Sequence, residues 1–335
     1  MSTDTGACRI SPNFPLTLNQ RNNAVAALQQ RLSALGMLDD SLVEQGYFCE
    51  FTHTALREFQ SNRGLPQDGI CDRNAWDALI EASWLSGVRL LYLTSPHLRG
   101  DDVIALQANL AQLGFDCGRI DGILGPNTVH SLTDFQQNYG LVADGICGPE
   151  TLLALSRMSS QTGTGPGIVS VRELEKLHQA AKVVDSLKIV VGCFGDLQSV
   201  SRSLTRKLRQ QFDNVMTVEE PDPTLHATSA NSFQADVYVG IAASSAQHHD
   251  IVFYETEGFI SPGGRRLAES IAAQLGQIGF GQLAVQGMRL PVLRATRMPA
   301  VLCIFGQSHQ SETDVVATAV AAAISDWFAP QSPTE

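Results

Sequence analysis

Val103-Ile-Ala-Leu106-Gln107-Ala-Asn-Leu110-Ala-Gln-Leu113-Gly114 repeats the pattern of Val25-Ala-Ala-Leu28-Gln29-Gln-Arg-Leu32-Ser-Ala-Leu35-Gly36, 78 residues upstream. A second stretch, Leu132-Thr-Asp-Phe135-Gln136 through Asp144-Gly145-Ile146-Cys147, repeats Leu56-Arg-Glu-Phe59-Gln60 through Asp68-Gly69-Ile70-Cys71 at a shift of 76. The two-residue difference falls in the connecting loop, where length changes are tolerated. Each copy reads as three short helices. The first places Val25, Leu28, Leu32 and Leu35 three or four apart, hence on one face, and Gly36 and Gly114 close it. The second buries Leu56 and Phe59, or Leu132 and Phe135. An Asp-Gly-Ile turn follows, and a third helix runs through Ala75 to Leu79, or Thr151 to Leu155. In the second copy Pro149 suits a first helical turn.

The LQxxLxxLG helix, the FQ helix and the closure Gly148-Pro149-Glu150-Thr151 resemble the peptidoglycan-binding repeat of bacterial wall enzymes. The first copy departs from that closure with Cys71-Asp72-Arg73-Asn74. The resemblance implies a helical fold and a glycan or peptide site in the groove beside the Asp-Gly turns. The alternative is that the repeats serve only as a scaffold or a protein-docking surface.

Working outward, 335 residues with 44% hydrophobic and 17% charged suit two or three packed domains rather than disorder. A net charge of -11 argues against a nucleic-acid or anionic-membrane binder. The boundaries expected are a flexible N-terminus 1–20, repeats at 21–84 and 98–158, a Gly/Ser/Thr/Pro linker 159–167, an α/β domain 168–328 and a tail 329–335. A helix is predicted from Arg172 to Val184. Strands are predicted at Leu187–Val191, Val215–Val218, Val237–Ile241, Ile251–Tyr254 and Ala300–Phe305. They alternate with helices at Val200–Phe212, Thr224–Phe233, Arg265–Ile278 and Asp314–Phe328. The fold class expected is therefore α + α/β, two three-helix repeats followed by a three-layer α/β domain with a mostly parallel sheet.

This half resembles the zinc-dependent N-acetylmuramoyl-L-alanine amidase fold. The resemblance rests on Leu187–Val191, on Ala230-Asn231-x3-Ala235-Asp236 with the strand after it, on Arg289 through Leu302 with its Thr-Arg-Met-Pro-Ala-Val core, and on the last helix. A catalytic zinc takes three protein ligands and leaves a position for water, and a carboxylate accepts the water's proton. The resemblance implies His, Glu and His ligands and a Glu base. Those positions fall at Gly195, at Leu197 or Gln198, at Ala242 and at Ile304. The expectation is therefore a pseudo-amidase, not an enzyme, without zinc or other cofactor. His248-His249-Asp250, near Glu255 and Glu257, reads as a solvated loop before a strand rather than a metal site, since neighbouring residues of an extended chain face opposite ways and the two histidines would not chelate one ion. His309 reads as a polar loop residue. Cys193 and Cys303 lie near the pocket, but the sequence names no base for either. Gly258 to Gly264 reads as a turn and cap that also suits an anion.

Wall-binding repeats ahead of an amidase-like domain without the catalytic set resemble the CwlM-type regulators of actinobacteria. The resemblance implies a cytoplasmic regulator of peptidoglycan precursor synthesis. It would bind and activate MurA, the UDP-N-acetylglucosamine enolpyruvyl transferase, under Ser/Thr protein kinase control. Further implied partners are a forkhead-associated domain protein, the lipid II flippase and a peptidoglycan precursor. Candidate phosphorylation sites are Thr334, Thr3 and Thr5, and the candidate partner surface is Arg202, Arg206, Lys207 and Arg209. A cytoplasmic location is also expected from the start of the chain, which lacks a basic segment followed by an apolar one. Seven dispersed cysteines without a CxxC pair agree with it. The alternatives are a zinc-dependent amidase acting on the wall and a cytoplasmic sensor of precursors or muropeptides.

Overall fold

The computed structural model describes residues 13–159, 168, 170, 173, 187–244, 249–256, 258–280, 283–306 and 313–328. Thr3, Thr5, Thr334, His248, Glu257, His309, the linker beyond Ser159 and nearly all of the helix expected at 172–184 lie outside the described residues. The chain divides into two compact units, residues 1–89 with 99–102, and residues 90–98 with 103–335.

The first unit holds α1 (Asn23–Ala34), α2 (Glu50–Asn62) and α3 (Arg73–Ala82). Asn22 and Asp72 cap α1 and α3 by accepting from the N–H groups of Val25 and Ala75. Helices α1 and α2 end alike. The Met37 N–H returns to the Leu32 carbonyl at 2.9 Å and the Gly36 N–H to Ser33 at 2.8 Å; Leu65 and Gly64 do the same to Gln60 and Ser61. These are Schellman ends, and Gly36 and Gly64 take the left-handed φ they require, +73° and +60°. The stripe expected on α1 is the core: Val25, Leu28 and Leu32 are fully buried with Leu56, Phe59 and Leu79.

The second copy follows the same plan with α4 (Asp101–Gln112), α5 (Pro126–Tyr139) and α6 (Pro149–Ser159). The third helices thus extend beyond the predicted cores on both sides. In the second unit one apolar cluster runs from Leu106, Leu110 and Phe135 into one face of the sheet, through Val190, Tyr238, Val252 and Leu302.

The sheet contains β1 (Lys188–Phe194), β2 (Asn214–Glu219), β3 (Val237–Ala243), β4 (His249–Thr256), β5 (Phe259–Ile260), β6 (Leu283–Met288) and β7 (Ala300–Phe305). Strands β2, β1, β3 and β7 lie side by side in parallel. Strand β4 runs antiparallel to β7, with β6 parallel to β4 and the short β5 folded back on its end. The pairing is mostly parallel, with an antiparallel junction at β7–β4. One face carries α7 (Gln198–Leu208), α9 (Pro262–Gln277) and α11 (Thr313–Phe328). The other carries α8 (Pro223–Phe233), α10 (Pro291–Ala295) and the second repeat. The three-layer α/β architecture is as expected.

Two motif residues that carried the amidase resemblance hold this frame at the amino ends of the strands. Asn231 bridges α8 to the end of α10 and the segment after it, donating to the Ala295 carbonyl at 2.9 Å and accepting from the Arg297 N–H at 2.9 Å. Asp236 binds Lys188 twice, carboxylate to N–H and N–H to carbonyl, both at 2.8 Å.

Candidate functional site

In open α/β sheets ligands bind beyond the carboxyl ends of the parallel strands. Here those ends are Phe194, Ala243 and Phe305. Register partners share a face, so Phe194, Ala242 and Ile304 form a row across β1, β3 and β7. The antiparallel β4 extends it, because Asp250 pairs with Ile304. All four are half-buried. The result is an apolar shelf with a carboxylate at one end, and Gln286 donates to that carboxylate at 3.3 Å.

The four positions singled out in the sequence are not all brought together. Ala242 and Ile304 are neighbours on the shelf. Gly195 follows Phe194 with φ +82° and open space where a side chain would stand. That turn sends the chain to the other face, where Leu197 is buried with Val200 and Leu204 in the opposite core; Gln198 is exposed. His249 and Asp250 part in the same way. His249 is buried between Phe280 and Phe305, its Nδ1 accepting from the Gly306 N–H at 3.1 Å, whereas Asp250 lies on the shelf. Glu255 is at the far end of β4, over Gly287. Among the described residues, no three His, Cys, Asp or Glu side chains are grouped so as to hold one metal ion. Burial pushes the Cys303 thiol up to about 12 and the Cys193 thiol up as well, which keeps both protonated at neutral pH.

Beneath the shelf lies a buried polar group that the sequence did not indicate. The His226 ring stacks on Phe194 with centroids 4.0 Å apart. Its Nε2 lies 2.6 Å from the Glu220 carbonyl, which can only accept, so Nε2 carries the proton. Nδ1 then accepts from the Tyr238 hydroxyl at 2.8 Å. The available signal was glycine inside two strands, Gly192 and Gly240, where side chains approach the backbone closely.

Burial holds His226 below the ordinary histidine range, against the opposing pull of the Glu220 carbonyl. The unfolded chain therefore takes up a proton near pH 6.5 that folded His226 resists. Stability is expected to fall below that pH at up to about 1.4 kcal/mol per pH unit, until the lowered folded value is reached. Asp314, held low by the Ser203 hydroxyl and then Lys207, has its effect only in the more acidic carboxylate range. Urea midpoints at about pH 7 and about pH 5.5 for wild type and His226→Gln check this. Equal losses in the two proteins would remove His226 as the group responsible.

The basic residues of α7, and Arg209 at its C-cap, are engaged within the chain. Arg202 makes a two-pronged pair with Glu219 at 2.9–3.0 Å. Arg206 and Lys207 face Asp314 at 3.6 and 3.2 Å, and Arg209 donates to the Val215 carbonyl. The N-terminus of α9, open to an anion in the sequence, holds the chain's own carboxylate: Glu173 accepts from the Ser261 hydroxyl at 2.6 Å and the Gly263 N–H at 3.0 Å.

Residues 21–79 and 99–155 match the peptidoglycan binding domain family PG_binding_1. The N-acetylmuramoyl-L-alanine amidase CwlM of Mycobacterium tuberculosis is 32% identical over 330 residues, covering 85% of this chain and 80% of the relative. The N-acetylmuramoyl-L-alanine amidase CwlL of Bacillus licheniformis is 30% identical over 154 residues, covering 40% of this chain and 43% of the relative. A crystal structure of an N-acetylmuramoyl-L-alanine amidase from Clostridium difficile 630 aligns with 43% of this chain and 97% of its own, at 18% identity and a TM-score of 0.35. The two relatives correct one expectation. Both are named as amidases, so the reading of this chain as no enzyme, drawn from Gly195, Leu197, Ala242 and Ile304, does not stand.

Proposed function

The chain belongs to the family of the N-acetylmuramoyl-L-alanine amidase CwlM, and from that premise we propose that it binds and activates MurA, the UDP-N-acetylglucosamine enolpyruvyl transferase, under Ser/Thr kinase control. Membership gives it a role in peptidoglycan metabolism; the partner and the control are the proposal. What supports them is that the CwlM match runs over 85% of the chain, through repeats and α/β half together, rather than over one module. The repeats in this reading bind a peptidoglycan fragment or precursor, in keeping with the family matched at 21–79 and 99–155. The reading puts the protein in the cytoplasm beside its partner, with a forkhead-associated domain protein and the lipid II flippase as further partners. None of the helices among the described residues is long and apolar enough to cross a membrane.

Activation requires that the transferase's active state bind this chain more tightly than its inactive state. A phosphate on Thr3, Thr5 or Thr334 adds about -2 charge and three acceptor oxygens, enough to engage an arginine cluster on a partner. The test is phosphate release by the cognate transferase with the full chain, untreated and kinase-treated. The expected result is a rise of about tenfold or more, larger after kinase treatment. No change in either form sinks the reading. The relatives' own name favours a second reading, cleavage of the amide between N-acetylmuramic acid and L-alanine. New L-alanine amino groups appearing from a muropeptide would make that the function.

A further inference from the structure

Arg119 and the amino end of α9 meet at one hairpin. Strands β4 and β5 fold back on each other, with Thr256 against Phe259, and the Ser261 N–H returns to the Tyr254 carbonyl at 3.1 Å. The Arg119 guanidinium lies over the Tyr254 ring, 4.2 Å from its centroid, and 5.9 Å from that of Phe259. Its Nη1 donates to the Thr296 carbonyl. Nε and Nη2 form the side-on edge with which arginine grips a carboxylate or phosphate by two bonds. Both atoms are buried and have no hydrogen-bond partner among the described residues. Buried donors left in that way cost stability, which a bound anion would recover.

The charges around this edge favour an anion. Burial holds Arg119 below the ordinary arginine range, with Tyr254, Glu173 and Asp121 opposing it. Arg119, Arg289 and Arg294 all act on the Tyr254 hydroxyl, against the larger effect of its burial. Three guanidinium groups near one hydroxyl suit a dianion better than a monoanion. Of the two carboxylates that act on Arg119, Asp121 is engaged by Gln107 and the Ile123 N–H. The other, Glu173, accepts from the Ser261 hydroxyl at 2.6 Å and the Gly263 N–H at 3.0 Å. Ser261 is fully buried, so Glu173 stands where an anion at the start of a helix would bind. This place is at the opposite end of β4 from Asp250 and the apolar shelf.

We propose that the α9 N-terminus and the open edge of Arg119 form a site for a compact oxyanion, phosphate in preference to carboxylate, and that Glu173 is the chain's own stand-in for that anion. The site is independent of the partner proposed above. The test titrates the full chain with inorganic phosphate, and separately with acetate, at fixed ionic strength, reading the rise in melting temperature as affinity. Glu173→Ala should bind phosphate about tenfold or more tighter than wild type, the factor by which an internal competitor filling the site about nine-tenths of the time weakens an external one. Adding Arg119→Met should abolish that gain. Circular dichroism establishes that each variant is folded, and Ser261→Ala in the Glu173→Ala background serves the same purpose should Arg119→Met not fold. A folded Glu173→Ala protein with wild-type affinity for phosphate overturns the proposal, as does a gain that survives the second substitution. Acetate binding as tightly as phosphate overturns the stated preference.

Discussion

Replacing Gln107 by leucine is expected to destabilise the second unit by about 2–5 kcal/mol, seen as a fall in melting temperature of roughly 5–15 °C. The side chain is buried and makes five contacts at one loop. Its oxygen accepts from the N–H groups of Asp121 and Gly122 at 3.1 and 2.7 Å. Its nitrogen donates to the Asp121 carboxylate at 2.9 Å, and to the Ile123 carbonyl and Thr128 hydroxyl at 3.2 Å each. Leucine has nearly the same volume and none of these groups. It would leave the Gly122 N–H and the Thr128 hydroxyl, both buried, without a partner. Orphaned buried groups cost more than the bonds themselves contribute, which is why the expected loss is large. Gln107→Glu keeps the acceptor but sets a second carboxylate against that of Asp121, so at neutral pH it should be no milder than leucine. A Gln107→Leu protein within about 0.5 kcal/mol of wild type would mean that the loop holds its shape unaided.

The same device occurs three more times. Gln29, Gln60 and Gln136 bind Gly46, Gly69 and Gly145 through their oxygens at 2.8–2.9 Å. Gln29, Gln107 and Gln136 also donate to Thr52, Thr128 and Thr151 at the start of the next helix. Each repeat is thus two similar half-steps of helix, clamped turn and helix. The LQ and FQ markers were legible in the sequence as markers. Their mechanism was not, because a glutamine beside an apolar stripe looks like any solvent-facing residue until the turn beyond it closes.

The rest of the fold divides on similar grounds. Strand β7 was read to the residue because Pro299 and Gly306 bound an unbroken apolar run. Strand β6 was missed: it is half-exposed, and Gly287 interrupts it where Glu255 lies across the backbone. Helix α10 is five residues long and begins with Pro291 inside a stretch quoted only for its resemblance. At the candidate site, strand alternation suffices to put Ala242 and Ile304 on one face. Counting residues past Phe194 could not foresee that Gly195 would carry Leu197 into the opposite core. Nor could it find the contact of Arg119 with the Tyr254 ring and the Thr296 carbonyl, which come from two separate parts of the chain. Contacts of that separation are set by how the layers stack, not by any local pattern.

Gly192→Ala is expected to cost the α/β half about 3 kcal/mol or more. A methyl group there would stand 2.1 Å from the Tyr238 hydroxyl oxygen, 2.5 Å from His226 Nδ1 and 2.7 Å from Tyr238 Cζ. None of these can retreat easily. Tyr238 and His226 are fully buried, hydrogen-bonded to each other, and held by Phe194 on one side and the Glu220 carbonyl on the other. Gly240 sits beside Gly192 in register, and its closest obstacle is a terminal methyl of Leu302 at 2.7 Å. A leucine tip can change rotamer, so Gly240→Ala should lose less than Gly192→Ala. The cause can be isolated by repeating Gly192→Ala in a Tyr238→Phe background, where the worst contact is gone. The alanine should then cost clearly less than in wild type, a non-additivity that only a direct clash produces. Equal costs in the two backgrounds would mean that the Tyr238 hydroxyl does not stand over Gly192. The stack under the candidate shelf would then need a different geometry, because Phe194 reaches the shelf from the same strand, two residues further on.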